Sequence, residues 1–242
     1  GNTTYSVTVT NVQDLSGNAI VNNGTTNKAS FFYPATDSIS PTVVSAVAQD
    51  NTKVLVTFSE AVQQAIAETA ANYTIAGLTV TTAVRQANTS QVLLTVSSQS
   101  ATGYTVTVAS VQDIAGNIIG NPNSANFTGD ALPTVQSIIA VSNTKIRVIF
   151  SEVMVSAGLT ADYTIPGLTV TVATLLASPN NNVVELTTTA QTGGTSYTLT
   201  VGNGSATLKD STNNLLSTSA NSAAFAGDGK PTVTAATSPN PT

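Results

Sequence analysis

The chain has 242 residues, 41% of them hydrophobic and 8% charged, with a net charge of −5. Cysteine and histidine are absent, which excludes disulfides, thiolate or imidazole metal sites and the commonest general base. Few basic groups remain to neutralise phosphate, so nucleic acid is not an expected partner, and no transition metal or organic cofactor is expected.

Residues 1 to 40 contain Tyr5-Ser-Val-Thr-Val and Val12-Gln-Asp-Leu-Ser-Gly-Asn. Both return downstream: the first as Tyr104-Thr-Val-Thr-Val and Tyr197-Thr-Leu-Thr-Val, the second as Val111-Gln-Asp-Ile-Ala-Gly-Asn. This segment therefore reads as the C-terminal part of a repeat whose front lies outside the chain. Phe32-Tyr33-Pro34 is its one aromatic group that the repeat does not explain; it is expected to cover a domain edge or to touch a partner or glycan. Gly1 does not begin a signal peptide, and no stretch reaches the ~18 apolar residues of a transmembrane helix, so no membrane insertion is expected here.

At Pro41 begins PTVVSAVAQDNTKVLVTFSE, which recurs from Pro133 as PTVQSIIAVSNTKIRVIFSE with 12 of 20 positions identical. Val54, Val56 and Phe58 alternate with Lys53, Leu55 and Thr57, the period of a strand with one face buried. The same pattern predicts strands near 43 to 48, 53 to 58, 72 to 75, 78 to 85, 91 to 97, 103 to 112 and 118 to 127. Seven short strands suit an immunoglobulin-like sandwich. The Ala-rich stretch 60 to 71 has room for a short helical turn. Tyr5, Tyr104 and Tyr197 open the penultimate strand, where such sandwiches carry a tyrosine that ties down a corner. Phe31, Phe58, Phe127, Phe150 and Phe225 are expected core anchors.

Pro133 follows Pro41 by 92 residues and Pro231 follows Pro133 by 98, a domain length rather than a solenoid turn. The expected organisation is all-β, in tandem Greek-key sandwiches: a partial unit at 1–40, whole units at 41–130 and 131–229, and the first strand or linker of a next unit at 230–242. The second whole unit departs from the first with Asp210-Ser-Thr-Asn-Asn in place of Asp-x-x-Gly-Asn, and with a longer approach to that turn.

Eight of the 12 acidic residues occupy three recurring positions: Glu60 and Glu152; Asp14, Asp113 and Asp210; Asp37, Asp130 and Asp228. In a sandwich of this strand order, the loop after the second strand, the loop before the last and the incoming linker share one pole. Asp37, Glu60 and Asp113 are therefore expected to converge, as are Asp130, Glu152 and Asp210. With an amide oxygen from Asn117 or Asn213 they would make an oxygen-only site suited to calcium. The other reading is plain turn chemistry, since Asp-x-x-Gly-Asn is also what a tight turn needs. Paired carboxylates without a cleft or positioning aromatics do not make a glycosidase.

Val-Thr-Phe-Ser-Glu, Asn-Tyr-Thr-Ile, Tyr-Thr-Val-Thr-Val and Asp-Ile-Ala-Gly-Asn together resemble the bacterial Ig-like modules of S-layer and large cell-surface proteins. The resemblance implies an extracellular, non-catalytic, structural role, with neighbouring domains or copies of the same protein as partners. The alternatives are an adhesin or ligand-binding module, for which Phe32, Tyr33 and the loop Ser178 to Asn182 are the candidate contacts to cell-wall or host glycan, and accessory domains of a secreted enzyme.

Overall fold

Alternating burial along short β-branched segments produces the same seven strands twice. The computed structural model describes residues 3–21, 25, 27–33, 37–156, 158–202 and 208–230. The first whole unit contains β3 (Val43–Asp50), β4 (Lys53–Phe58), β5 (Tyr73–Ile75), β6 (Val80–Arg85), β7 (Gln91–Val96), β8 (Gly103–Val108) and β9 (Ser124–Thr128). It follows β1 (Thr3–Thr8) and β2 (Lys28–Tyr33) and precedes β10 (Val135–Ser142), β11 (Lys145–Phe150), β12 (Tyr163–Thr164), β13 (Val170–Leu175), β14 (Val183–Thr188), β15 (Ser196–Val201) and β16 (Ser222–Ala226).

One sheet of each whole unit has the order β3-β4-β7-β6 or β10-β11-β14-β13, and the other β5-β8-β9 or β12-β15-β16. First, second, fifth and fourth strands thus face third, sixth and seventh, the arrangement of a constant-type immunoglobulin sandwich. All pairs are antiparallel. The inner pairs β4–β7 and β11–β14 keep continuous register, whereas β3–β4, β6–β7, β10–β11 and β13–β14 each contain a register shift.

Between the sheets lie Val54, Val56, Phe58, Val92, Leu94, Val106 and Val108 in the first unit, and Ile146, Val148, Phe150, Val184, Leu186, Leu199 and Val201 in the second. Full burial of each such side chain is worth about 1.5–3 kcal/mol. Gly129 packs under the corner tyrosine. Tyr104 accepts the Ser100 N–H at 3.2 Å and stacks on Phe127 at 5.6 Å, and Tyr197 does the same with Thr192 and Phe225. A Cβ on Gly129 would stand 2.5 Å from both Tyr104 Cε2 and the Ser100 carbonyl.

The structure shortens two expected strands. The penultimate strand stops at Val108 rather than 112 because Ser110 adopts φ +60, which turns the chain out of the sheet. The last begins at Ser124 rather than 118, since residues 111 to 119 fold into their own turn, closed by a bridge between Gln112 and Ile118. The Ala-rich stretch holds α1 (Gln64–Ala67) and a 3-10 turn at Ala70–Asn72. Phe31, expected in a core, is 53% exposed where its counterpart Phe127 is 7% exposed. It stacks on Tyr5 across β1–β2, but among the described residues no second sheet covers that pair.

Candidate functional site

Each carboxylate cluster is assembled by backbone contacts at the pole where a unit begins. Ser59 exchanges two hydrogen bonds with Thr42, its Oγ accepting the Thr42 N–H at 3.0 Å and its N–H donating to the Thr42 carbonyl at 2.9 Å. That pins Glu60 beside the incoming linker. Val62 bridges to Asp113, and Gln63 N–H donates to the Gln112 carbonyl at 2.8 Å, so the turn before the last strand lies against the turn after the second. In the next unit Ser151 and Thr134 repeat the exchange, and Met154 bridges to Asp210.

As a result, carboxylate oxygens of Asp37, Glu60 and Asp113 come within 4.8 Å of one another, and so do those of Asp130, Glu152 and Asp210. Two unit charges at that separation repel by about 1 kcal/mol in water and about 3 kcal/mol at the effective dielectric of a protein surface. The glutamates carry the consequence. Desolvation, then Asp37 and Asp113, push Glu60 above its ordinary value. Desolvation, then Asp210 and Asp130, push Glu152 up to about 7.

Asp113 is buried and moves the other way. Burial alone would raise it, but the Asn117 side chain and the backbone N–H groups of Asn117, Gly116 and Ala115 outweigh burial and hold it below the usual range. Asn117 donates its N–H to Asp113 Oδ1 at 2.8 Å and its Nδ2 to Oδ2 at 2.7 Å. Asn18 treats Asp14 in the same way. Turn chemistry is therefore present at every copy. A carboxylate has about four lone-pair directions, and Asp210 already accepts four bonds, from the N–H and Oγ1 of Thr212 and from the N–H and Nδ2 of Asn214.

The amide expectation is corrected in two respects. Asn117 turns its NH2 toward the cluster, donating to Asp113 and to the Asp37 carbonyl at 3.2 Å, so its oxygen is not a ligand in this arrangement. In the second unit Asn214, not Asn213, holds the equivalent place. Asn214 donates its N–H and Nδ2 to the two oxygens of Asp210, both at 2.8 Å. Asn213 stands where Gly116 stands in the first unit, at φ +69 against +93, a conformation that Asn tolerates better than most residues.

Asn214 also locks the two units together. Its Oδ1 accepts the backbone N–H of Asn51, in the β3–β4 turn of the preceding unit, at 2.8 Å, and its Nδ2 donates to Asp130 Oδ2 at 2.9 Å. Asn51 Nδ2 in turn donates to the Asp130 carbonyl at 2.7 Å and the Gln99 carbonyl at 2.8 Å, while Ser98 donates to Asn51 Oδ1 at 2.5 Å. Asn51, Gln99 and Asn214 are all buried. An acidic cluster and an amide lock thus share Asp130 and Asp210.

A family model described as a bacterial Ig-like domain matches residues 32–129 and 131–226. The chain belongs to that family. No curated protein matches it significantly. Among solved structures, the N-terminal part of the bacterial S-layer protein SbsC is 18% identical, with a TM-score of 0.37 over 79% of this chain and 45% of that one. SbsC domains 1-6 are 16% identical, with a TM-score of 0.37 over 81% and 27%. FdeC, an Escherichia coli adhesin, is 11% identical, with a TM-score of 0.33 over 84% and 69%. The chain thus spans less than half the length of these SbsC structures.

Sequence reasoning missed the lock. Asn51 and Gln99 recur as Asn143 and Gln191 in the second Ig-like domain, and that recurrence was the available signal; both pass for ordinary turn residues. Of the candidate contacts, Phe32 and Tyr33 lie on β2 opposite Thr4 and Thr3, and their side chains fall outside the described residues. The loop from Ser178 to Asn182 is tied to its own domain: Asn182 Nδ2 donates to the Phe150 carbonyl at 3.2 Å and the Asn181 carbonyl accepts the Met154 N–H at 2.9 Å.

Proposed function

We propose that this chain is a non-catalytic structural segment of an extracellular bacterial surface or S-layer protein, in which consecutive Ig-like domains are held in fixed orientation and stiffened by calcium at their junctions. The Asn51–Asp130–Asn214 lock is the observation that carries the reading. Buried amide bonds between domains resist bending because opening the junction breaks the bond from Asn51 N–H to Asn214 Oδ1 and the one from Asn214 Nδ2 to Asp130. Short Pro-bearing linkers add to that stiffness.

Calcium enters through the chemistry of the donors. Three carboxylates within reach of one another, with backbone carbonyls nearby, form a hard, oxygen-only set that suits calcium better than magnesium, whose octahedral demand is stricter. Asp37, Glu60 and Asp113 would hold one ion, and Asp130, Glu152 and Asp210 a second. Each ion would cancel the carboxylate repulsion that adds to desolvation in raising the glutamates.

Distances between spin labels on the exposed positions Thr105 and Thr198 test both parts. A narrow distribution that broadens in Asn214→Ala supports the lock; a broad one that the substitution leaves unchanged overturns it. Millimolar calcium should narrow the distribution further and raise the unfolding midpoint relative to EDTA, with magnesium less effective. At 100 times its dissociation constant a ligand adds about 2.7 kcal/mol, so the absence of a calcium-specific shift removes the metal from the account and leaves the lock alone.

A further inference from the structure

We propose that the far pole of the second Ig-like domain, formed by Asn143, Gln191 and Asp228, is a receptor for the Asp-x-x-x-Asn turn of a further unit of the same repeat. The inference rests on the Asn51–Asn214 contact being a domain junction, because that contact shows what the equivalent pole of the first domain receives.

The receptor is already shaped. In the first domain Gln99 N–H donates to the Asn51 carbonyl at 2.9 Å, Gln99 Nε2 donates to the Asp50 carbonyl at 3.0 Å, and Gln99 Oε1 accepts the Asp130 N–H at 3.3 Å. In the second domain Gln191 N–H donates to the Asn143 carbonyl at 2.7 Å, Gln191 Nε2 to the Ser142 carbonyl at 2.9 Å, and Gln191 Oε1 accepts the Asp228 N–H at 3.1 Å. The same three bonds hold the same three residues.

What differs is exposure. Asn51 is buried and Asp130 half-buried against the seated turn, whereas Asn143 is half-buried and Asp228 exposed. The turn side tells the same story, with Asn214 buried at its junction and Asn117 half-buried at its own.

The chemistry of the occupant follows from the groups presented. Asn143 supplies a backbone donor and Asp228 a carboxylate acceptor, so the incoming group must offer a carbonyl and an NH2 from one side chain, which is an amide. The amide must also be rigid, and an Asp four residues earlier provides that, as Asp210 does for Asn214. Ala190 stands where Ser98 braces Asn51, so docking at this second pole is expected to be weaker than at the first.

The test extends the full chain, with residues 133–242 repeated after Lys230, and follows amide hydrogen exchange by NMR. Exchange at Asn143 should slow about five- to tenfold relative to the unextended chain, the effect of about one net hydrogen bond. Asn214→Ala in the added unit should abolish the slowing. Asp228→Ala should abolish it too, and this exposed side chain can be removed without touching either core. Unchanged exchange at Asn143 in the extended chain overturns the proposal. If instead Asn214→Ala in the unextended chain leaves exchange at Asn51 unaffected, the junction itself is refuted rather than the receptor.

Discussion

Glu152→Gln should stabilise the second domain at pH 8 in EDTA and leave it nearly unchanged at pH 5. Gln keeps the shape of the side chain and removes its charge from the vicinity of Asp130 and Asp210. The wild-type carboxyl titrates at about 7 in the folded chain, against 4.5 for an unperturbed glutamate. Because the folded state holds this proton more tightly than the unfolded state, stability falls as pH rises from 4.5 to 7 and the full penalty applies above 7. A displacement of that size would correspond to about 3 kcal/mol for a fully buried group, and solvent screening of a half-buried carboxyl reduces it to about 1–2 kcal/mol. For a domain of about 100 residues that is a rise in midpoint of roughly 4–10 °C. Calorimetry at both pH values is the assay. A loss of stability at pH 8, or the same gain at pH 5 as at pH 8, would refute the electrostatic account of the cluster. Millimolar calcium supplies a further contrast, since an ion that needs the Glu152 charge turns the gain at pH 8 into a loss.

Gly129→Ala should destabilise the first domain by about 1–3 kcal/mol, because the new methyl cannot avoid both the Tyr104 ring and the Ser100 carbonyl; the urea midpoint would show it, and an unchanged midpoint would mean that the corner is soft. Gly116→Ala should cost about 1–2 kcal/mol through its φ of +93, whereas Asn213→Gly at the matching place should cost nothing or stabilise slightly; equal effects on the two denaturation curves would contradict the equivalence of the turns.

The strands were legible because their apolar residues alternate, and because the repetition of Val54, Val56 and Phe58 as Ile146, Val148 and Phe150 fixes which face is inside. The acidic clusters were legible for a different reason: carboxylates are so scarce in this chain that three recurring positions stand out, and the strand order sends all three to one pole. The ends of β8 and β9 were not legible, since a left-handed Ser110 is a backbone choice that no side-chain pattern announces. Nor was the lock. It joins Asn51 to Asn214 across 163 positions through amides, in a chain where Asn is common and each copy looks like turn punctuation. The exchange of Asn213 for Asn214 arose in the same turn, where two adjacent asparagines divide the work done elsewhere by Gly and Asn.

The register shifts described for the outer strand pairs have a bearing on how such an array reaches its native form. Val44, Val47, Val84, Ile139 and Val172 are exposed on β3, β6, β10 and β13, the edges of the four-stranded sheets. Tandem units of similar sequence stay at high local concentration throughout folding, when one edge can pair with its twin instead of its own partner. A bulge breaks the even spacing of free N–H and C=O groups and twists the strand away from flatness. Irregularity confined to the outermost pairs, with the inner pairs left regular, guards the unit against its own copies without loosening its centre.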